Sequence, residues 1–118
     1  MSQRDSSDAR RQDYAIVFAA LGDETRLALV ARLSDGRPAS ISQLTDAQTT
    51  RGSKLTRQAI TKHLRVLERA RIVHRARAGR ESLFELDLKA IDELSEYLAL
   101  VSARWDQTLG RIKAFVEE

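Results

Sequence analysis

The chain has no cysteine. Disulfide frameworks, thiolate-held metals and cysteine redox switches are therefore excluded. Long apolar runs are missing as well. Nothing approaches the roughly 18 to 20 residues needed to cross a bilayer, and Met1-Ser2-Gln3-Arg4-Asp5 lacks the apolar core of a secretory signal. A cytoplasmic protein with no membrane partner is the expectation. No Ser, His and acid set, no phosphate-cradling glycine loop and no paired ligand motif is visible, so no catalytic residue is assigned and no enzyme is expected. The two histidines, His63 and His74, lack a third ligand, and neither a metal nor a cofactor is expected. The acids Asp92, Glu93 and Glu96 read as the solvated start of a helix.

What is present is a globular composition, 42% hydrophobic and 31% charged over 118 residues, enough for one self-supporting core. The net charge of +3 conceals a strong asymmetry. Over 51–80 stand ten bases against the single acid Glu68, which is +9 and leaves −6 for the rest of the chain. A basic module in an acidic frame points to a polyanionic partner.

Residues 1–12 are polar without periodicity and read as a flexible tail, leaving a single domain over 13–118. Asp13 is expected to cap a first helix carrying Ile16, Val17, Ala20 and Leu21, and Gly22 to end it. Asp23 caps a second, with Leu27, Val30, Ala31 and Leu33 on its apolar side, stopped by Asp35-Gly36-Arg37-Pro38. Ser40-Ile41-Ser42-Gln43 has the form of a capping box and opens a short third helix through Leu44 and Ala47. After the polar break Thr49-Thr50-Arg51-Gly52-Ser53, Thr56 caps a fourth helix running to about Ala70. Ile72-Val73 and Leu83-Phe84-Glu85-Leu86 are strand-like, with Gly79 at the tip between them, which predicts a two-stranded hairpin. Asp87 then caps a long final helix. Its Ile91, Leu94, Leu98, Val101, Trp105, Leu109, Ile112 and Val116 recur at spacings of three and four as one apolar stripe.

The fourth helix carries the chemistry. At about 100° per residue, Ile60, Leu64 and Leu67 share one side, and Gln58, Thr61, Lys62, Arg65 and Arg69 share the other. Amide, hydroxyl, ammonium and guanidinium groups on one stripe suit base edges and phosphates in a major groove. Lys54, Thr56, Arg57 and His63 flank that stripe, and Arg75, Arg77 and Arg80 stud the hairpin. A short basic ribbon suits phosphates or a narrow minor groove. Helix, turn, helix and basic hairpin in that order make a mainly α, winged helix-turn-helix pattern of about five helices.

Phe18-Ala19-Ala20-Leu21-Gly22-Asp23-Glu24-Thr25-Arg26-Leu27 resembles the leading helix junction of the ArsR-type family of bacterial winged helix regulators. Gln58-Ala59-Ile60-Thr61-Lys62-His63-Leu64-Arg65-Val66-Leu67 resembles that family's recognition helix, and Ala70-Arg71-Ile72-Val73 with Gly79-Arg80 and Phe84-Glu85-Leu86 resembles its wing. The similarity covers 14–86. Arg71 stands where the family usually has glycine, and the segment 49–55 is longer than the usual turn. The cysteines or the His and Asp of the metal-sensing members are missing: third-helix positions read Ser42-Gln43-Leu44, and the final helix has no histidine.

The resemblance implies a homodimeric, double-stranded-DNA-binding regulator acting as a repressor on a pseudo-palindromic operator, and it leaves the existence of a small-molecule effector open. It also implies a dimer seam made by the first and last helices, with Ile16, Leu94, Tyr97, Leu98, Val101, Trp105, Leu109 and Ile112 as its candidates. Two other expectations stand beside it: a winged helix that binds a protein partner or structured RNA, and a metal-responsive regulator with an atypical site.

Overall fold

A computed structural model describes residues 3–50, 52 and 54–117, apart from the side chains of 3–10, Thr50, Arg77 and Ala78. They fall into two compact units, Met1–Asp87 and Leu88–Glu118, where the sequence pattern suggests one domain over 13–118. The first unit contains α1 (Gln3–Leu21), α2 (Glu24–Leu33), β1 (Ala39–Ser40), α3 (Ile41–Thr50), α4 (Arg57–Arg69), β2 (Val73–Ala78) and β3 (Glu81–Leu86). The second is a single helix, α5 (Leu88–Glu117). This is a mainly helical winged helix fold.

Side-chain caps set most of the boundaries. The Asp23 carboxylate accepts the Arg26 N–H at 3.0 Å and starts α2, and Thr56 Oγ1 accepts the Ala59 N–H at 3.1 Å and starts α4. At α3 the box is reciprocal: the Ser40 N–H donates to Gln43 Oε1 at 2.9 Å, and the Gln43 N–H donates to Ser40 Oγ at 3.2 Å. Helix α1 departs from expectation, since it begins at Gln3 rather than at Asp13.

The core of the first unit is Ala20, Leu29, Leu33, Ala39, Leu44, Ile60, Leu64, Leu67, Ala70, Ile72, Val73 and Phe84, all buried. Helix α4 contributes Ile60, Leu64 and Leu67 at i, i+4 and i+7, the stripe expected of a helix with one inward face. The inner face of α2 is not the expected one. Leu29 and Leu33 are buried, whereas Leu27 is 52% exposed and Ala31 lies at the surface.

The wing is an antiparallel hairpin in which His74 faces Glu85 and Arg75 faces Phe84. Its two-residue turn places Gly79 at φ +67 ahead of Arg80, the residue order of a type II′ hairpin. A third strand joins it. Ala39 pairs with Phe84 and Ser40 with Leu83, giving the sheet order β1-β3-β2 where the sequence predicts two strands.

Between α4 and the wing the chain reverses through a left-handed residue. The Ile72 N–H donates to Leu67 O at 3.0 Å and the Arg71 N–H to Glu68 O at 3.0 Å, the paired bonds of a Schellman cap closed by apolar Ile72 and Leu67. Arg71 sits at φ +61, the one non-glycine residue with positive φ among those described. A side chain costs about 1 to 2 kcal/mol in that conformation, which glycine avoids. Arg71→Gly should therefore raise stability by up to about 1 kcal/mol after the added freedom of the unfolded chain is counted. A lower denaturation midpoint for the variant would show that the cap is not strained.

Asp23 also predicts a pH effect. Its carboxyl is held below the usual carboxylate range mainly by the Arg26 backbone N–H, helped by the charges of His63 and Arg26 against the opposing effect of burial. A lowered folded-state value stabilises the fold above the unfolded value and is lost as pH falls through the folded one. Asp23→Ala should thus cost about 1 kcal/mol at neutral pH. The gap to the unmodified protein should shrink below about pH 4. Urea titrations at pH 7 and pH 3 check both halves, and a pH-independent gap would contradict the assignment.

Candidate nucleic-acid interface

With Ile60, Leu64 and Leu67 turned inward, α4 presents Gln58, Lys62, Arg65 and Arg69 to solvent, with Thr61 half-buried at the edge of the row. No acid lies in its first turn. The start of α3 stands beside it, and Ile41, Arg57, Gln58, Thr61, Lys62 and Arg65 line a shallow groove of about 540 Å³. The groove therefore carries three cationic side chains and one amide on a rigid helix.

Not every basic or polar group on this side points outward with its full capacity. Arg57 Nη2 donates to Ser42 Oγ at 2.7 Å, which ties the first turn of α4 to α3. Thr61 Oγ1 donates to Arg57 O at 2.7 Å. Its only proton is thereby used, so toward a nucleic acid Thr61 can accept from a base amino group but cannot donate to a phosphate. Thr56 is exposed but occupied as the N-cap, and Lys54 is exposed just ahead of it.

Two expected contacts are redirected by the tertiary structure. His63 is half-buried, its Nδ1 lying 3.3 Å from Arg26 Nη1 and 3.7 Å from Asp23 Oδ2, so it faces the α1–α2 junction and not the groove. Arg75 Nε donates to Glu68 Oε2 at 2.9 Å, and its guanidinium stands 5.3 Å above the Phe84 ring centroid. Glu68 is the only acid of α4, so this pair fastens the base of the wing to the helix and takes Arg75 away from the tip. Arg80 is exposed in the turn, and the side chain of Arg77 lies outside the described residues. His74 on β2 is paired with Glu85 across the strands, Nε2 to Oε1 at 2.7 Å.

Among the described residues no group of three or more His, Cys, Asp or Glu could hold a metal ion. No described helix is long and apolar enough to cross a membrane.

The expected dimer residues divide between the two units. On α1, Ile16 is 55% exposed. On α5, Leu94, Tyr97 and Val101 are half-buried, while Leu98, Trp105, Leu109 and Ile112 are exposed. Val116, the last residue of the expected stripe, is exposed as well, as are Phe18, Leu27 and Phe115. Sequence reasoning missed Arg26, although its spacing of three from the capping Asp23 was there to be read.

Comparison with known proteins gives a consistent picture. The family model for a helix-turn-helix domain matches residues 21–76. The chain is 42% identical over 65 residues to the uncharacterised HTH-type transcriptional regulator YuzN of Bacillus subtilis, covering 54% of this chain and 71% of that one. It is 38% identical over 70 residues to the HTH-type transcriptional regulator Rv2034 of Mycobacterium tuberculosis, covering 59% and 60%. Among solved structures, an ArsR-like transcriptional regulator from Rhodococcus sp. RHA1 superposes with a TM-score of 0.71 at 32% identity, over 91% of this chain and 95% of that one.

Proposed function

The chain belongs to the ArsR-type family of winged helix-turn-helix transcriptional regulators, and we propose that it acts as a homodimeric repressor, setting two copies of α4 into successive major grooves of a pseudo-palindromic operator. The observation that carries this reading is the exposed row Gln58, Lys62 and Arg65 on α4, a face with an amide for a base edge, cations for phosphates and no carboxylate among them. The wing adds Arg80 at its tip, and Arg77 in sequence, as contacts to the backbone of the adjoining groove. Self-association rests on the apolar residues left at the surface of α5 together with Ile16 on α1. A dimer occupying a promoter blocks transcription by steric exclusion, and DNA as the target places the protein in the cytoplasm. No catalytic residue is proposed.

Selection of bound duplexes from a random pool tests the proposal. The expected product is a palindrome with half-sites about one helical turn apart, roughly 10 bp centre to centre. Recovery of a half-site alone would argue against the dimer, and recovery of no shared sequence would argue against operator reading.

A further inference from the structure

Helix α4 is fastened to the rest of its unit by a side chain outside the recognition face. Arg26, on the first turn of α2, spreads its guanidinium over three acceptors. Nε donates to Ala20 O and Nη2 to Ala19 O at 3.4 Å, both carbonyls of the last turn of α1, and Nη1 reaches His63 Nδ1 on α4 at 3.3 Å. Arginine carries donors only, so this contact is a hydrogen bond when the imidazole is neutral with its proton on Nε2, leaving Nδ1 to accept. One planar group thus joins the C-terminal end of α1 to the middle of α4.

The length of the connection entering α4 leaves such a strut a role. Six residues, 51–56, separate α3 from α4, where a helix-turn-helix usually has a turn of three or four. A longer connection constrains the angle of the following helix less. On the other side, α1 carries the exposed Ile16, the residue of this helix assigned to the proposed dimer seam. We propose that Arg26 is a positioning residue for DNA reading: through His63 it registers the recognition helix on α1, so the angle at which Gln58 and Lys62 enter a groove is set from the dimer seam. This rests on the operator-reading function proposed above.

The test compares binding of the selected operator with binding of a random duplex of equal length at the same salt. Arg26→Lys keeps the charge and loses the fork. His63→Leu keeps the bulk and removes the acceptor, whereas His63→Asn returns an amide oxygen where Nδ1 stood. Arg26→Lys and His63→Leu should each weaken operator binding about tenfold or more. Random-duplex binding, which depends on charge, should stay within about twofold. His63→Asn should recover most of the operator affinity. Circular dichroism establishes that each variant is folded, and the His63 pair decides the matter if Arg26→Lys is too unstable to assay. Wild-type operator affinity in folded His63→Leu, or equal losses on both duplexes, overturns the positioning role alone. Failure of the unmodified protein to select any sequence overturns the operator reading itself, and the positioning role with it.

Discussion

Trp105→Ala is expected to leave the protein monomeric at concentrations where the unmodified chain is dimeric. Trp105 is 61% exposed on α5 and is flanked along the same helix by exposed Leu98, Leu109 and Ile112. Exposure of one indole is ordinary, but a row of large apolar side chains on one helix is a surface that association covers. A tryptophan buried at the centre of an interface typically costs about 2 kcal/mol or more when truncated. A two-fold dimer loses two, so the dissociation constant should rise by about a thousandfold. The chain itself should keep its helix content, because Trp105 is not among the buried residues and alanine is the better helix former. Sedimentation measures the association and circular dichroism the helix. A Trp105→Ala dimer of unchanged affinity, or an unmodified protein that is monomeric at roughly tens of micromolar, would remove α5 from the interface.

The second large effect separates reading from holding. Gln58 is exposed on the first turn of α4, and its amide can both accept from and donate to an adenine edge. Gln58→Ala should cost about 1 to 3 kcal/mol on the selected operator and relax the preference at one position per half-site, while random-duplex binding barely changes. Arg80 at the wing tip should behave in the opposite way. Arg80→Ala should weaken operator and random duplex alike. The slope of log K against log salt should become shallower by about one for each phosphate no longer neutralised, and so by about two in a dimer. Arg75→Ala should show much less of this salt effect, because its guanidinium is engaged by Glu68 and Phe84. Filter binding over a salt series on both duplexes reads all three variants. An unchanged selected sequence for Gln58→Ala, or an unchanged salt slope for Arg80→Ala, would move the DNA to another face of the protein.

Local chemistry was enough to determine where most of the first unit's helices start and which way α4 turns. A cap needs only a short polar side chain and an N–H two or three residues on, and Asp23, Ser40 with Gln43, and Thr56 all meet that need within their own neighbourhood. Helix α4 was legible because its two faces differ sharply in kind over 13 residues. Hence the polar, basic face of α4, the hairpin with Gly79 at its turn and the long α5 could all be read along the chain. The tertiary structure decided what depends on remote partners. Strand β1 is two residues long, too short for any periodicity, and exists because β3 lies alongside it. Helix α2 carries apolar residues almost all round, so that Leu27 and Leu29 are equivalent by composition, and only packing chose Leu29 for the core. The start of α1 at Gln3 lies in a polar stretch with no stripe to mark it. His63 and Arg75 looked like groove-facing bases until Arg26, 37 residues away, and Glu68, on the preceding helix, claimed them. Each of these outcomes turns on a hydrogen bond or a buried neighbour whose other half lies elsewhere in the chain. The pattern of a segment cannot encode a partner it does not contain.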